Sequence, residues 1–309
     1  MNGSDSAVLT VATPAPQAAT RAWRLPRNRS AWLGAFVLAL VVSIGALAPY
    51  LGTTNPAEIN PVARNKRPGA ERVIRNEDGT TTVTTFRMGT DTLGRDVYSR
   101  VLYGARVSLL VGISVAAISV AIGLVIGLVS GYIRWLDAIL MRVMDGLMSV
   151  PAILLAIALV SLSKGAGLRT VIVAIVIPEI PRVVRLVRAV VLSVREEPYV
   201  EAARALGAAT PAVLVRHVAP STVAPLIVQG TFICASAILV EAILSFLGVG
   251  IPPETPTWGN IMAEGRALFR IFPHNILFPS IFLAATVLAV NMLGDGLRDL
   301  LDPRVRKQL

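Results

Sequence analysis

The sequence predicts an all-α membrane protein with six transmembrane helices, and three observations lead to this fold class. Hydrophobic residues make up 54% of the 309 residues and charged residues only 16%, whereas a soluble domain carries about a quarter charged residues. The mean hydropathy of the chain is +0.67. The apolar residues gather into six runs, each long enough to cross the hydrocarbon core of a bilayer as a helix. These runs cover approximately residues 31–51, 105–132, 137–162, 168–192, 222–248 and 277–299.

The first run, residues 31–51, follows a polar tail at residues 1–30 that ends in several arginines. At about 1.5 Å per residue, a helix of this length spans about 31 Å, enough to cross the membrane. The alternative is a cleaved signal peptide, because Ala46-Leu47-Ala48 fits an A-x-A cleavage site. We prefer an uncleaved anchor because the apolar run is longer than a signal peptide core and begins late in the chain.

A small external segment, residues 52–103, is predicted after the first helix. It is polar and contains turn signals such as Asn60-Pro61 and Asp78-Gly79. Residues 80–86 are rich in Thr and Val, which favours a β-strand, and we expect this strand to be one arm of a hairpin. The other five spans form the core of the protein at residues 104–303, and residues 304–309 form a second basic tail.

Six spans put both termini on the same side of the membrane, and the basic residues indicate that this side is the cytoplasm. Arginine and lysine residues cluster at residues 21–29 and 304–307, and the loop 193–220 on the same side is also basic. The segment 52–103 disagrees, because it carries eight arginine or lysine residues. It is long and also carries six acidic residues, so it has less weight in assigning the orientation.

The fourth span contains Pro178 and Pro181, which do not fit an undisturbed helix, so we expect a kink there. Arg182, Arg185 and Arg188 follow at helical spacing. We expect this arginine stripe to lead out of the bilayer into the cytoplasm.

A basic loop at residues 196–220 separates two of the apolar runs. Pro198 suits the first turn of a helix and Gly207 suits its end, which predicts a helix over residues 198–206. Glutamates precede this helix, where the positive end of the helix dipole favours them.

A second short helix is predicted in the same loop, with Thr210 as its N-cap, Pro211 at its first position and its end before Pro220. On the first helix, one face carries Tyr199, Ala202, Ala203 and Leu206, with Glu201 and Arg204 beside it. Small alanines allow close approach of another surface. The loop is either a docking element or an ordinary connection between helices, and the residue types alone leave both open.

Three acidic residues, Asp145, Glu179 and Glu241, lie within predicted spans. A charge in hydrocarbon is costly and usually faces a partner or a water-filled path. Each of the three is a candidate for lining or gating such a path. The alternative, which we favour for Glu241, is a structural bond to the backbone or an arginine of a neighbouring helix.

Two further patterns concern packing and loops. Small residues at four-residue spacing let transmembrane helices approach closely, and the second span carries Gly112, Gly123, Gly127 and Gly131. We expect them to pack within the bundle or against a partner chain. In the last external loop, Trp258 and Asn260 are expected to anchor the loop at the membrane interface or to offer a docking surface.

Several functions do not fit the residues present. One cysteine, Cys234, and two histidines far apart in the chain argue against a metal cage. The string from Gly89 to Asp96 lacks the lysine and hydroxyl residue of a phosphate-binding loop, so ATP is not expected on this chain. The net charge of +10 suggests nucleic acid as a partner, but the sequence shows no nucleic-acid module.

The residues Glu201-Ala202-Ala203, with Gly207 and Pro220 at fixed distance, resemble the EAA signature of ABC importer permeases. Other segments resemble the permeases of dipeptide, oligopeptide and nickel importers. These segments are residues 89–100, 103–109, 241–248, 258–260, 293–299 and 302–303. The similarity extends over about residues 31–303, and the chain resembles the second, C-type permease of this class.

The resemblance implies a multi-pass protein of the prokaryotic inner membrane that acts with several partners. These are a homologous second permease, two cytoplasmic ABC ATPases and an external or periplasmic substrate-binding protein. ATP and magnesium are then bound by the ATPases, and this chain holds no cofactor and catalyses no reaction. In the family the EAA loop docks in a groove of the ATPase, which would make Glu201, Ala202, Ala203, Arg204, Gly207 and Pro220 the docking residues. Trp258 and Asn260 would face the binding protein.

The implied function is ATP-driven import of di- or oligopeptides, with this chain forming half of the translocation pathway. The same machinery could carry nickel, glutathione or another small solute, because the binding protein selects much of the cargo. A self-standing secondary transporter or channel is the alternative from another class. It needs an ion relay inside the bundle, and the few intramembrane charges and the loop 196–220 argue against it.

Overall fold

Helices dominate the part of the chain that the computed structural model describes, which comprises residues 29–75, 81–163 and 167–301. The helices are α1 (Arg29–Leu47), α2 (Val97–Tyr132), α3 (Arg134–Met148), α4 (Ala152–Leu162), α5 (Leu168–Val194), α6 (Pro198–Ala205), α7 (Thr210–Val213), α8 (Ala219–Phe246), α9 (Trp258–Gly265) and α10 (His274–Leu301). The first tail was predicted at residues 1–30, but residues 29 and 30 belong to α1. Residues 1–28 and the second predicted tail, 304–309, lie outside the described residues.

Fewer helices than the predicted six meet the length and apolarity expected of a membrane span. Among the described residues four do so: α1 with the turn after it, α2, the continuous helix Thr210–Phe246, and α10. A fifth span results if α3 and α4 count together. The helix α5 is long enough. However, Glu179 and the arginines after it, at positions 182, 185 and 188, make α5 more charged than a lipid-facing span.

The predicted third span, residues 137–162, is broken. Its halves α3 and α4 meet at an angle of 88°. Pro151 stands at the break, where it has no N–H to continue a helix and disfavours helical backbone at the residue before it. Ser149 closes α3 by donating its hydroxyl to the carbonyl of Gly146, with 2.7 Å between the oxygens.

The other proline-containing span, α5, continues as one α-helix through Pro178 and Pro181. Its valine side packs closely on α2. A Cβ atom built on Gly123, Gly127 or Gly131 would lie 2.5–2.7 Å from the Cβ of Val183, Val187 or Val191, respectively. The predicted glycine packing is therefore confirmed within the bundle, because only the missing side chains allow this approach.

The two-stranded hairpin of the segment after α1 consists of β1 (Glu71–Arg75) and β2 (Thr81–Thr85). The strands are antiparallel, with Val73 opposite Val83. The strand predicted at residues 80–86 is thus confirmed for Thr81–Thr85. Phe86 lies just beyond the strand, and Thr80 lies outside the described residues. From β2 the chain leads to α2, which begins earlier than predicted because Asp96 caps it by accepting a hydrogen bond from the Ser99 amide.

Two groups of loops pack at opposite ends of α2. Its first turns contact the loop and helix around α9, since the Trp258 indole donates to the carbonyl of Val101. At its last turn, Arg195 donates to the carbonyl of Gly131 over 3.1 Å. With 36 residues, α2 is about 54 Å long, so these two ends lie on opposite sides of a membrane-thick bundle.

The close contact between α2 and α5 predicts that Gly127→Ala destabilises the fold. The new methyl group would lie 2.6 Å from the Val187 Cβ and 3.0 Å from the Val184 carbonyl oxygen, and overpacking of this kind costs about 1–3 kcal/mol. The apparent melting temperature of the detergent-purified protein should fall. Gly146→Ala is the control, because nothing lies within 4 Å of its added Cβ. Equal melting temperatures for both variants would contradict the packing account.

Candidate functional site

The helix α6 projects from the end of the bundle at which α5 terminates. It begins at Pro198, as predicted, and ends in a Schellman motif around Gly207. The amides of Gly207 and Ala208 donate to the carbonyls of Arg204 and Ala203, and Gly207 has φ +84°. Glycine adopts this left-handed conformation without steric strain because it has no Cβ atom. Gly207 therefore sets the direction in which the chain leaves α6.

The predicted docking residues form an exposed surface on α6. Glu201, Ala202 and Arg204 are exposed, Ala203 is half-buried, and Gly207 is exposed at the end of the helix. Next to them the Leu206 side chain is 88% exposed. An exposed leucine beside small and charged residues is a composition typical of a contact surface.

Three valines hold this loop on the bundle. Val200, Val213 and Val218 are fully buried in the main hydrophobic cluster. In addition, the Arg204 guanidinium lies over the Tyr132 ring, with 6.0 Å to the ring centre. These contacts connect α6 to the bundle and to Tyr132, the last residue of α2.

The second half of the loop differs from the prediction. Ala209, not Thr210, is the N-cap of α7. The predicted end of the helix before Pro220 is wrong, because a π-helical turn, Leu214–Val218, joins α7 to α8. Pro220 fits since it lies in the first turn of α8, and its side chain is exposed.

Glu241 is fully buried in α8 and is bonded to serines. Ser245 donates to it over 2.8 Å, and Ser108 of α2 lies 3.5 Å away. The arrangement agrees with the structural bond to a neighbouring helix, although the partner is a serine and not the backbone or an arginine.

Glu179 and Asp145 both meet arginines of α5. Arg182 donates to both oxygens of Glu179 at 3.0 and 3.1 Å, and Ser236 of α8 lies 3.4 Å from the same carboxylate. Asp145 of α3 accepts from Arg185 over 2.6 Å. Arg188 pairs in the same way with Asp137 of α3. The arginine stripe is thus paired with acidic residues, and the sequence spacing did not predict this grouping.

The expected surface role of Trp258 and Asn260 is not supported, because both side chains are buried. The Trp258 ring packs on Phe282 with 6.4 Å between ring centres. Asn260 completes a capping box with Thr257 and donates to the carbonyl of Thr255 over 2.6 Å. These residues fix α9 against α2 and present no surface to a partner.

Known proteins match the chain along most of its length. Residues 119–307 match the family described as the binding-protein-dependent transport system inner membrane component. The chain belongs to this family. Residues 19–68 also match the N-terminal transmembrane domain of oligopeptide transport permease C. The protein is therefore a multi-pass membrane permease subunit of the ABC transporter class, as its motifs had indicated.

Individual relatives agree with this assignment. A probable peptide ABC transporter permease of Sinorhizobium fredii is 54% identical over 85% of both chains. A dipeptide transport permease of Alkalihalophilus pseudofirmus is 37% identical over 92% of this chain and 88% of its own. A glutathione transport permease of Escherichia coli is 45% identical over 71% of this chain and 72% of its own.

A buried charge cluster at the other end of the permease was missed by the sequence analysis. Asp91 accepts from the Arg95 Nε atom at 2.7 Å and from Arg100 Nη1 at 2.5 Å, and Glu264 of α9 contacts both arginines. Arg100 is fully buried. The segment 89–100, which resembles the family, contains Asp91, Arg95 and Arg100. The grouping of these three charged residues within one such segment was the sequence signal that could have predicted the cluster.

This cluster predicts that Arg100→Met strongly destabilises the permease. The substitution leaves the buried Asp91 and the partly buried Glu264 with less compensating charge, and breaking a buried ion pair costs about 3–5 kcal/mol. Arg87→Met is the control, because Arg87 is exposed and donates to the Tyr98 hydroxyl over 3.0 Å. Thermal unfolding of both purified variants checks this, and equal melting temperatures would show that the cluster is not needed for stability.

Proposed function

We propose that this permease is half of the translocation pathway of an ATP-driven importer for di- and oligopeptides. The observation that carries the proposal is the exposed α6 surface around Glu201, mounted on buried valines and ended by a left-handed Gly207. A surface of this kind suits docking in a groove of an ATPase subunit. The peptide and dipeptide permeases among its relatives support the cargo class.

The proposed partners are a homologous second permease, two cytoplasmic ABC ATPases and an external or periplasmic substrate-binding protein. ATP and magnesium belong to the ATPases in this assembly, and the permease itself carries out no chemistry. The proposed setting is the inner membrane of a prokaryote, with both termini and the loop 196–220 in the cytoplasm. The hairpin and α9 then lie at the outer end of the bundle.

The proposed mechanism is alternating access. ATP binding closes the ATPase pair, α6 follows its groove, and the movement reaches the bundle through Val200, Val218 and the contact between Arg204 and Tyr132. ATP drives the change only because it binds one conformation of the assembly more tightly than the other. The π-helical turn at Leu214–Val218 is a local irregularity at which the loop and α8 can shift relative to each other.

Two alternatives remain distinct outcomes of the experiments. The glutathione permease among the relatives favours a small peptide-like solute as the second candidate cargo. Nickel stays a further candidate cargo, because the binding protein selects much of the cargo. A self-standing transporter would need no docking surface, and the α6 surface would then have no purpose.

Glu201→Lys is expected to abolish association with the ATPase. The substitution reverses a charge on the exposed docking surface without touching the buried valines, so membrane insertion should be normal. Co-purification of the ATPase with the tagged permease measures the effect. Glu196→Lys is the matched control, because Glu196 is also exposed but precedes α6. The docking role fails if Glu201→Lys retains the ATPase as well as the wild type does.

Gly207 gives an independent test of the same surface. Gly207→Val places a β-branched residue at φ +84°, which this side chain adopts only with strain. Gly207→Asn is the matched control, since asparagine tolerates the left-handed region. We expect ATP-dependent transport to fall at least several-fold for valine and much less for asparagine. Equal transport by the two variants would mean that the loop direction is unimportant for coupling.

A further inference from the structure

One face of α5 carries arginines that the packing of the bundle leaves accessible. The valine face of this helix is buried against the glycines of α2. Around the helix, the Arg182 side chain is 48% exposed and the Arg185 side chain 47% exposed. Ala189 and Ser193, further along the same helix, are also exposed and are small.

Accessible arginines on a helix of a membrane bundle restrict what can face them. A guanidinium is costly against lipid, so it faces a partner, a water-filled cavity or the aqueous end of the bundle. The neighbouring α3 supplies acidic side chains and α8 supplies Ser236. This face of α5 is therefore part of a polar region inside the bundle. In a permease, the translocation pathway is a polar region of this kind.

The ion pairs along this face differ in their number of hydrogen bonds and in their exposure. Arg188 donates two hydrogen bonds to Asp137 from two nitrogens, at 2.5 and 2.6 Å. Arg185 meets Asp145 through one contact of 2.6 Å, and the Asp145 side chain is 58% exposed. Arg182 reaches Glu179 through a single nitrogen. Exposed ion pairs contribute little stability, so the Arg185–Asp145 pair is the one that another anion can replace most easily.

We infer that Arg182 and Arg185 form a carboxylate-binding step in the translocation pathway, which takes the C-terminal carboxylate of the transported peptide. The two residues are three apart on a helix, so their Cβ atoms are about 5–6 Å apart. Guanidinium groups bind carboxylates with paired, charge-assisted hydrogen bonds. Every free peptide has this carboxylate whatever its side chains are, so such a step accepts many sequences. The inference rests on the proposed peptide import.

The test compares a labelled tripeptide with its C-terminal amide in liposomes that contain the complete transporter with ATP and liganded binding protein. Arg182→Gln and Arg185→Gln should each lower accumulation of the free acid about tenfold, the loss expected for one charge-assisted hydrogen bond. Accumulation of the amide and the rate of ATP hydrolysis should change little. Selection by the binding protein is the same for wild type and variants, so it cancels in the comparison.

Arg188→Gln is the matched control, because it removes the same charge from the same helix at a bidentate structural pair. It should affect acid and amide equally. The inference is overturned if Arg182→Gln and Arg185→Gln lower both peptides in the same proportion, if neither is lowered, or if Arg188→Gln shows the same selective loss. Peptide uptake without this selectivity overturns the carboxylate step alone, whereas a wild-type transporter that accumulates no peptide overturns the proposed function as well.

Discussion

The close packing of α5 on α2 determines how the rest of the permease is arranged. Glycines on α2 let the valines of α5 approach to within contact of the helix backbone. Because that side of α5 is occupied, the arginines must lie on the remaining faces, where α3 supplies Asp137 and Asp145. A charged helix can exist in a membrane protein only with such partners or with water. The broken α3–α4 pair brings these partners to α5.

The two ends of α2 have different tasks. At one end, the buried cluster of Asp91, Arg100 and Glu264 holds the segment after α1 and α9 together as one unit. At the other end, α6 is attached through buried valines but presents an exposed surface. A helix of about 54 Å connects them. One end is therefore held together by buried ion pairs, whereas the other end leaves a helix face exposed.

Much of the fold followed from local sequence signals. Long apolar runs predicted α1, α2, α8 and α10, and Pro198 with Gly207 predicted α6, because both signals act within one helix. The break at Pro151 was missed since the apolar run continues across it. The ion pairs between α3 and α5 join residues 40 and 51 positions apart, and the burial of Trp258 depends on α2. Contacts of this kind depend on tertiary packing, which periodicity within one segment does not report.

Peptide import through coupling to an ATPase is the proposed function of this permease. The most direct measurement is accumulation of a labelled peptide in liposomes that contain this chain and its second permease, with and without the ATPase subunits, and with binding protein and ATP supplied. The account predicts accumulation only when the ATPases and ATP are both present. Accumulation without any ATPase subunit would contradict it and would make the chain part of a secondary transporter.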